Sequence, residues 1–146
     1  MAQPRDDLRI HRTLGRPILW VLHIGHAWIW IGLLLKAGSA AGFMIPPSAA
    51  IHALTAGAIG TLTLGMMARV TLGHTGRDLE AAPLMVVGFV AITASAVIRV
   101  FGPWYRADLT ANVLTISAGL WAAAFLIYVI VNVKYLVTPR PDGKAG

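Results

Sequence analysis

A chain of 146 residues that is 57% hydrophobic and 12% charged, with a mean hydropathy of +0.70, has the composition of an integral membrane protein and not of a soluble domain. With no cysteine there is no disulfide framework, no thiolate metal centre and no covalent haem attachment through a Cys-x-x-Cys-His run, so any metal is held by His, Met or oxygen. The net charge of +6 comes from basic residues at the ends of apolar runs, which argues for membrane topology and against nucleic-acid binding.

Residues 1–16 read as a short cytoplasmic arm, with Arg5, Arg9, Arg12 and Arg16 offset by Asp6 and Asp7, and with His11 solvated. The first apolar run, 17–37, is long enough for the hydrocarbon core and too long for a signal-peptide core, so it is expected to be an uncleaved anchor. A Gly, Ala and Pro loop over 38–47 leads to Ser48, an expected N-cap for a second helix over 48–72. A polar loop, 73–80, precedes a third span over 82–100. The segment Phe101 to Asp108, with Gly102, Pro103, Trp104 and Tyr105, reads as an interfacial turn. A fourth span over 109–137 ends in a cytoplasmic tail, 138–146. The expected fold is all-α, an up-and-down bundle of four transmembrane helices.

Basic residues orient the bundle. Arg5, Arg9, Arg12, Arg16, Arg69, Arg77, Lys134, Arg140 and Lys144 fall on one side, and Lys36, Arg99 and Arg106 on the other. By the positive-inside rule both termini are cytoplasmic. Trp104 and Tyr105 suit the outer interface, Trp20 and Tyr135 the inner one.

Any site chemistry falls to the histidines, because there is no Ser-His-Asp set, no pair of intramembrane carboxylates and no phosphate-cradling glycine loop. His23 and His26, three apart, share one face of the first helix with Ala27 and Trp30. His52 shares a nearly flat face of the second helix with Ala56, Gly60, Thr63 and Met67, on which a planar macrocycle could lie with His52 as axial ligand. His52 and His74 are separated by roughly 33 Å of helix and cannot share one metal. His74, below Met66 and Met67, could belong with His23 to an inner site, where Met and imidazole are acceptable copper ligands. Simpler explanations compete. Ala49, Ala53, Gly57, Thr61 and Gly65 form a small-xxx-small stripe that helix packing alone explains. Met66 and Met67 can be gap fillers, and Arg99 and Arg106 can be interfacial charges with Asp108 as partner, although arginine also suits haem propionates.

The segment from Pro46 through His52, Gly57 and Gly60 to Thr61, followed by Met67-Ala-Arg69-Val-Thr-Leu-Gly73-His74-Thr-Gly76-Arg77, resembles the signature of the NnrS family. Supporting matches are Arg12-Thr-Leu-Gly-Arg-Pro-Ile-Leu-Trp20-Val-Leu-His23 before it and Arg140-Pro-Asp-Gly143 after it. The family comprises polytopic proteins of the bacterial inner membrane, described as containing haem and copper and associated with nitric oxide metabolism and nitrosative stress. The resemblance implies a role there and carries over His52 and His74 as metal-binding positions.

Family members are longer, and the chain resembles their C-terminal third, so upstream NnrS-like helices on another chain, or a homo-oligomer, are expected partners beside membrane lipid. The expected function is an NnrS-like membrane protein with haem, and copper as a second metal, whose ligand is a small diatomic such as nitric oxide. His52, His74, His23, His26 and Gly60 are its cofactor-binding candidates, with turnover left open. Two alternatives stand against it: a bis-histidine electron-transfer cytochrome and a cofactor-free structural subunit.

Overall fold

Proline opens three of the four membrane helices. Pro17, Pro47 and Pro83 each sit in the first turn, where a missing N–H costs nothing and the fixed φ is already helical. The computed structural model describes residues 15–141 and 143; the arm before them, His11 included, lies outside the described residues. Helix α1 spans Pro17–Ala40, α2 Pro47–His74, α3 Pro83–Tyr105 and α4 Thr110–Val137. All four are long and apolar enough to cross a membrane, and there is no strand among the described residues, so the all-α multi-pass expectation holds.

Several helix ends differ from the sequence expectation, and α2 itself runs to His74, two residues into the expected loop. Ser48 is not an N-cap, because Pro46 takes that position and the helix is already under way at Pro47. The first helix continues to Ala40, where Gly42 at φ 84° ends it and Phe43 N–H donates back to Gly38 O (3.1 Å). The segment expected as a turn from Phe101 is helical through Tyr105, with Pro103 inside its last turn. So close to the C-terminus a proline forfeits only one bond, the one its absent N–H would have given the Arg99 carbonyl.

Helix α2 is not a uniform α-helix. Its middle, Ala53–Ile59, is a seven-residue π segment between α-helical Pro47–His52 and Gly60–His74. Thr55 Oγ1 donates to Ile51 O (2.8 Å), a local bond that competes with the regular backbone ladder at its start. The wide turn has a register consequence. Four residues overshoot an α-turn by about 40° but fall short of a π-turn, so the drift of a four-residue stripe reverses inside the segment. Ala49, Ala53, Gly57, Thr61 and Gly65 consequently all stay buried.

That stripe receives α1. A Cβ on Gly57 would stand 2.6 Å from the Trp28 indole, one on Gly65 2.9 Å from Val21, and from the other side one on Gly25 2.6 Å from Leu62. The two backbones approach this closely only because glycines meet side chains from both directions. Trp28, Ala49, Ala53, Ala58, Ala96 and Val100 form one apolar core. A second, nearer the basic end, gathers Ile18, Val21, Leu64, Leu72, Phe89, Ile92 and Tyr128. Trp20, expected at the interface, packs edge-on against Phe89 (6.0 Å) instead.

Helices α3 and α4 are joined by a reciprocal pair of bonds: Ser95 Oγ donates to Ser117 O (2.8 Å) and Ser117 Oγ to Ser95 O (3.1 Å). Thr71 and Tyr128 hydroxyls share a bond of 2.8 Å between α2 and α4. At the basic end Arg77 donates to Thr138 Oγ1 (2.8 Å) and lies over the Tyr135 ring (4.6 Å).

These contacts set two stability predictions, both read by thermal melting in detergent. Gly57→Ala overpacks the Trp28 contact and destabilises by about 1–3 kcal/mol, whereas Gly119→Ala, where a Cβ meets nothing within 4 Å, stabilises by about 0.5–1 kcal/mol. Thr61 Oγ1 is buried without a hydrogen-bond partner, so the near-isosteric Thr61→Val stabilises by about 1 kcal/mol.

Candidate functional site

His52 stands on the last α-helical residue before the π segment, about 8 Å along α2 from Pro47. It is half-buried and faces a cleft between α2, α3 and α4. The cleft has two compartments that meet at His52 and Arg99. The inner one, about 230 Å³, is bounded by Thr55 and Ala56 of the π segment, the Ser95–Ser117 pair and Trp121. The outer one, about 290 Å³, is bounded by Pro46, Ala49, Val100, Pro103, Trp104 and Leu114, close to the helix ends.

Most polar atoms of the inner compartment are already engaged. Thr55 bonds Ile51 O, and the two serines bond each other's carbonyls. The His52 imidazole, the Arg99 guanidinium and the Trp121 indole N–H remain. Arg99 is half-buried in a membrane helix, and among the described residues it forms no ion pair. Arg106, the other arginine at this end, is spoken for: it pairs with Asp108 through two bonds of 3.0 Å. A cation with no counter-charge inside an apolar segment is costly, by about 2.5–3.5 kcal/mol for arginine at a helix centre, and such residues mark ligand sites.

The other candidates lie elsewhere. Gly60 sits under the Trp121 indole, its Cβ position 3.0 Å from Nε1, so the space it leaves is filled by this chain's own side chain. The flat face expected to hold His52, Ala56, Gly60, Thr63 and Met67 together is split by the π segment: His52 and Ala56 line the cleft, Thr63 is exposed and Met67 packs on the second core. His23 and His26 are exposed on α1 and line neither compartment of the cleft. His26 Nδ1 is 2.8 Å from Leu22 O, a bond that places its proton on Nδ1. His74, at the far end of α2 from His52, is exposed beside Arg69 and Arg140.

The structure therefore leaves His52, His74 and the His23–His26 pair in three separate places, and no group of three or more metal-binding His, Cys, Asp or Glu residues occurs among the described residues. Sequence reasoning overlooked Thr55, Ser95, Ser117 and Trp121. The serines carried a signal, each being the one serine of a largely apolar helix, 22 residues apart. The π segment had none beyond a run of small residues.

Arg99 gives a test of function against stability. Arg99→Leu removes an uncompensated charge from an apolar helix, so the unliganded protein melts later, by a free energy of about 1–2 kcal/mol. The same change empties the cleft of its charge and weakens whatever ligand depends on it.

Comparison with known proteins bears on what that ligand is. No curated protein and no solved structure matches the chain. A family model described as NnrS protein matches residues 6–140, nearly the whole length, and the chain belongs to the NnrS family.

Proposed function

We propose that this chain is a haem-binding membrane protein of the nitric oxide response, holding haem at the cleft between α2, α3 and α4. One observation carries the reading: His52 and Arg99 share a cleft inside the membrane-spanning region, and no carboxylate of the described residues compensates the charge. An imidazole for iron beside a guanidinium for propionates is a donor set that suits haem. Each compartment alone lies at or below the ~300 Å³ lower end of small-molecule pockets, so a macrocycle needs both.

Within this reading His52 would ligate the iron and Arg99 would pair with the propionates. The hydroxyls of Thr55, Ser95 and Ser117 are engaged on carbonyls, which leaves the Arg99 guanidinium and the Trp121 indole N–H as the compartment's free donors beside His52. Haem held there would supply the iron chemistry that binds a small diatomic such as nitric oxide. His52 is the cleft's sole imidazole among the described residues, which favours an open coordination position over a bis-histidine cytochrome. The stripe of small residues supports no cofactor, since α1 fills it.

Copper does not fit the described residues. The imidazoles are dispersed over three places, with no convergent ligand set of three or more among the described residues. The bacterial inner membrane with cytoplasmic termini is the placement favoured by the basic residues, nine against three across the bundle.

The test is spectroscopic. Protein purified in detergent from haem-replete cells shows a haem spectrum whose ferrous form changes on addition of nitric oxide. His52→Ala loses most of the haem, and His23→Ala, His26→Ala and His74→Ala keep it. Colourless wild-type protein overturns the reading; a spectrum indifferent to His52→Ala overturns the ligand assignment; a six-coordinate low-spin haem that ignores nitric oxide replaces it with the cytochrome.

A further inference from the structure

A second cavity lies at the opposite, basic end, and the haem proposal makes no use of it. It has a volume of about 390 Å³ and two unlike walls. One wall is cationic, made by Arg69, His74 and Arg140. The other is apolar, made by Met66, Val70 and Leu79, each between 43% and 47% exposed on the outside of the bundle.

The cationic wall is built from chain segments far apart in sequence. Arg140 Nη1 donates to His74 O (2.8 Å), which ties the segment after α4 across the end of α2, where backbone carbonyls lack helical partners. Arg69 stands five residues before that end and is half-buried. The contrast with Arg77 is informative. Arg77 is used structurally, on Thr138, Thr75 O and Tyr135. Arg69 has no such bond, and among the described residues neither Asp78 nor Glu80 of the following loop pairs with it.

The Arg69 guanidinium, with no carboxylate among the described residues bonded to it, disfavours a metal cation here and attracts an anion. The apolar wall narrows the choice further. Met66 and Val70 are one turn apart on α2 and lead from the cations toward the middle of the membrane span. A free phosphate has no use for that wall, whereas a phospholipid fits both parts.

We propose that this pocket binds an anionic phospholipid, with Arg69 on its phosphate, His74 and the Arg140 strap beside it, and its acyl chain along Met66, Val70 and Leu79. Guanidinium is suited to the task because its planar fork meets phosphate oxygens in pairs. The site is independent of haem, since it shares no residue with the His52 cleft.

Full-length protein in detergent, titrated with single lipids, tests this by native mass spectrometry and thermal melting. Phosphatidylglycerol is expected to remain bound and to raise the melting temperature, while phosphatidylcholine of the same chain length and inorganic phosphate do neither. Arg69→Gln weakens phosphatidylglycerol binding about fivefold, the contribution of one arginine near an anionic headgroup. Arg69→Lys, which keeps the charge and loses the fork, retains only part of the binding, and Lys36→Gln at the other end leaves it unchanged. Equal retention of phosphatidylcholine shows annular lipid only and overturns the proposal. So does inorganic phosphate that binds as well as the lipid, which would make this a simple anion site, and so does an Arg69→Gln effect no larger than that of Lys36→Gln.

Discussion

The indole of Trp28 lies where a side chain of residue 57 would otherwise be, and the packing of α1 on α2 depends on that substitution of one residue's bulk for another's absence. Lipid is as apolar as the helices, so association must come from close van der Waals fit and a few buried hydrogen bonds. Here the fit is reciprocal, with Gly25 under Leu62 and Gly57 under Trp28. The π segment keeps the small residues in line for this contact over five positions, which a uniform α-helix would have fanned away from α1.

The same segment serves the other side of α2. It begins immediately after His52 and contributes Thr55 and Ala56 to the cleft, so one irregular stretch both seats α1 and shapes the wall of the candidate site. π-bulges are often found at functional sites, and this one has a local reason, the Thr55 bond to Ile51 O. Hydroxyls that bond carbonyls at the cleft leave a cavity whose free polarity is an imidazole, a guanidinium and an indole N–H. Such a site discriminates by charge and ligation, not by a mesh of hydrogen bonds.

Charge divides the two ends of the molecule. At the His52 end, Arg106 is neutralised by Asp108 and Arg99 is not. At the basic end, Arg77 is consumed by packing on Tyr135 and Thr138, and Arg69 is not. In each pair, one arginine is part of the scaffold and the other faces a cavity. Number and position of basic residues thus say less than their partners do, because a guanidinium that is already paired has little left to offer a ligand.

Hydropathy by itself determined that four helices cross the membrane, since twenty apolar residues cannot be satisfied otherwise. Proline and glycine marked most helix ends, and the family was legible in the Pro46–Arg77 stretch. Spacing also separated His52 from His74, because rise per residue is fixed. Tertiary structure alone decided which face of α2 meets a helix and which meets a cavity. A π segment changes the number of residues per turn, so the straight 3.6-residue projection placed Thr63 beside His52 when the folded chain turns it outward. It also decided that Trp121, 61 residues from Gly60, fills the gap a macrocycle seemed to need, and that Arg99 and not Arg106 is the charge left without a partner. Those facts depend on side chains from different helices meeting in space, and no periodicity along one helix encodes them.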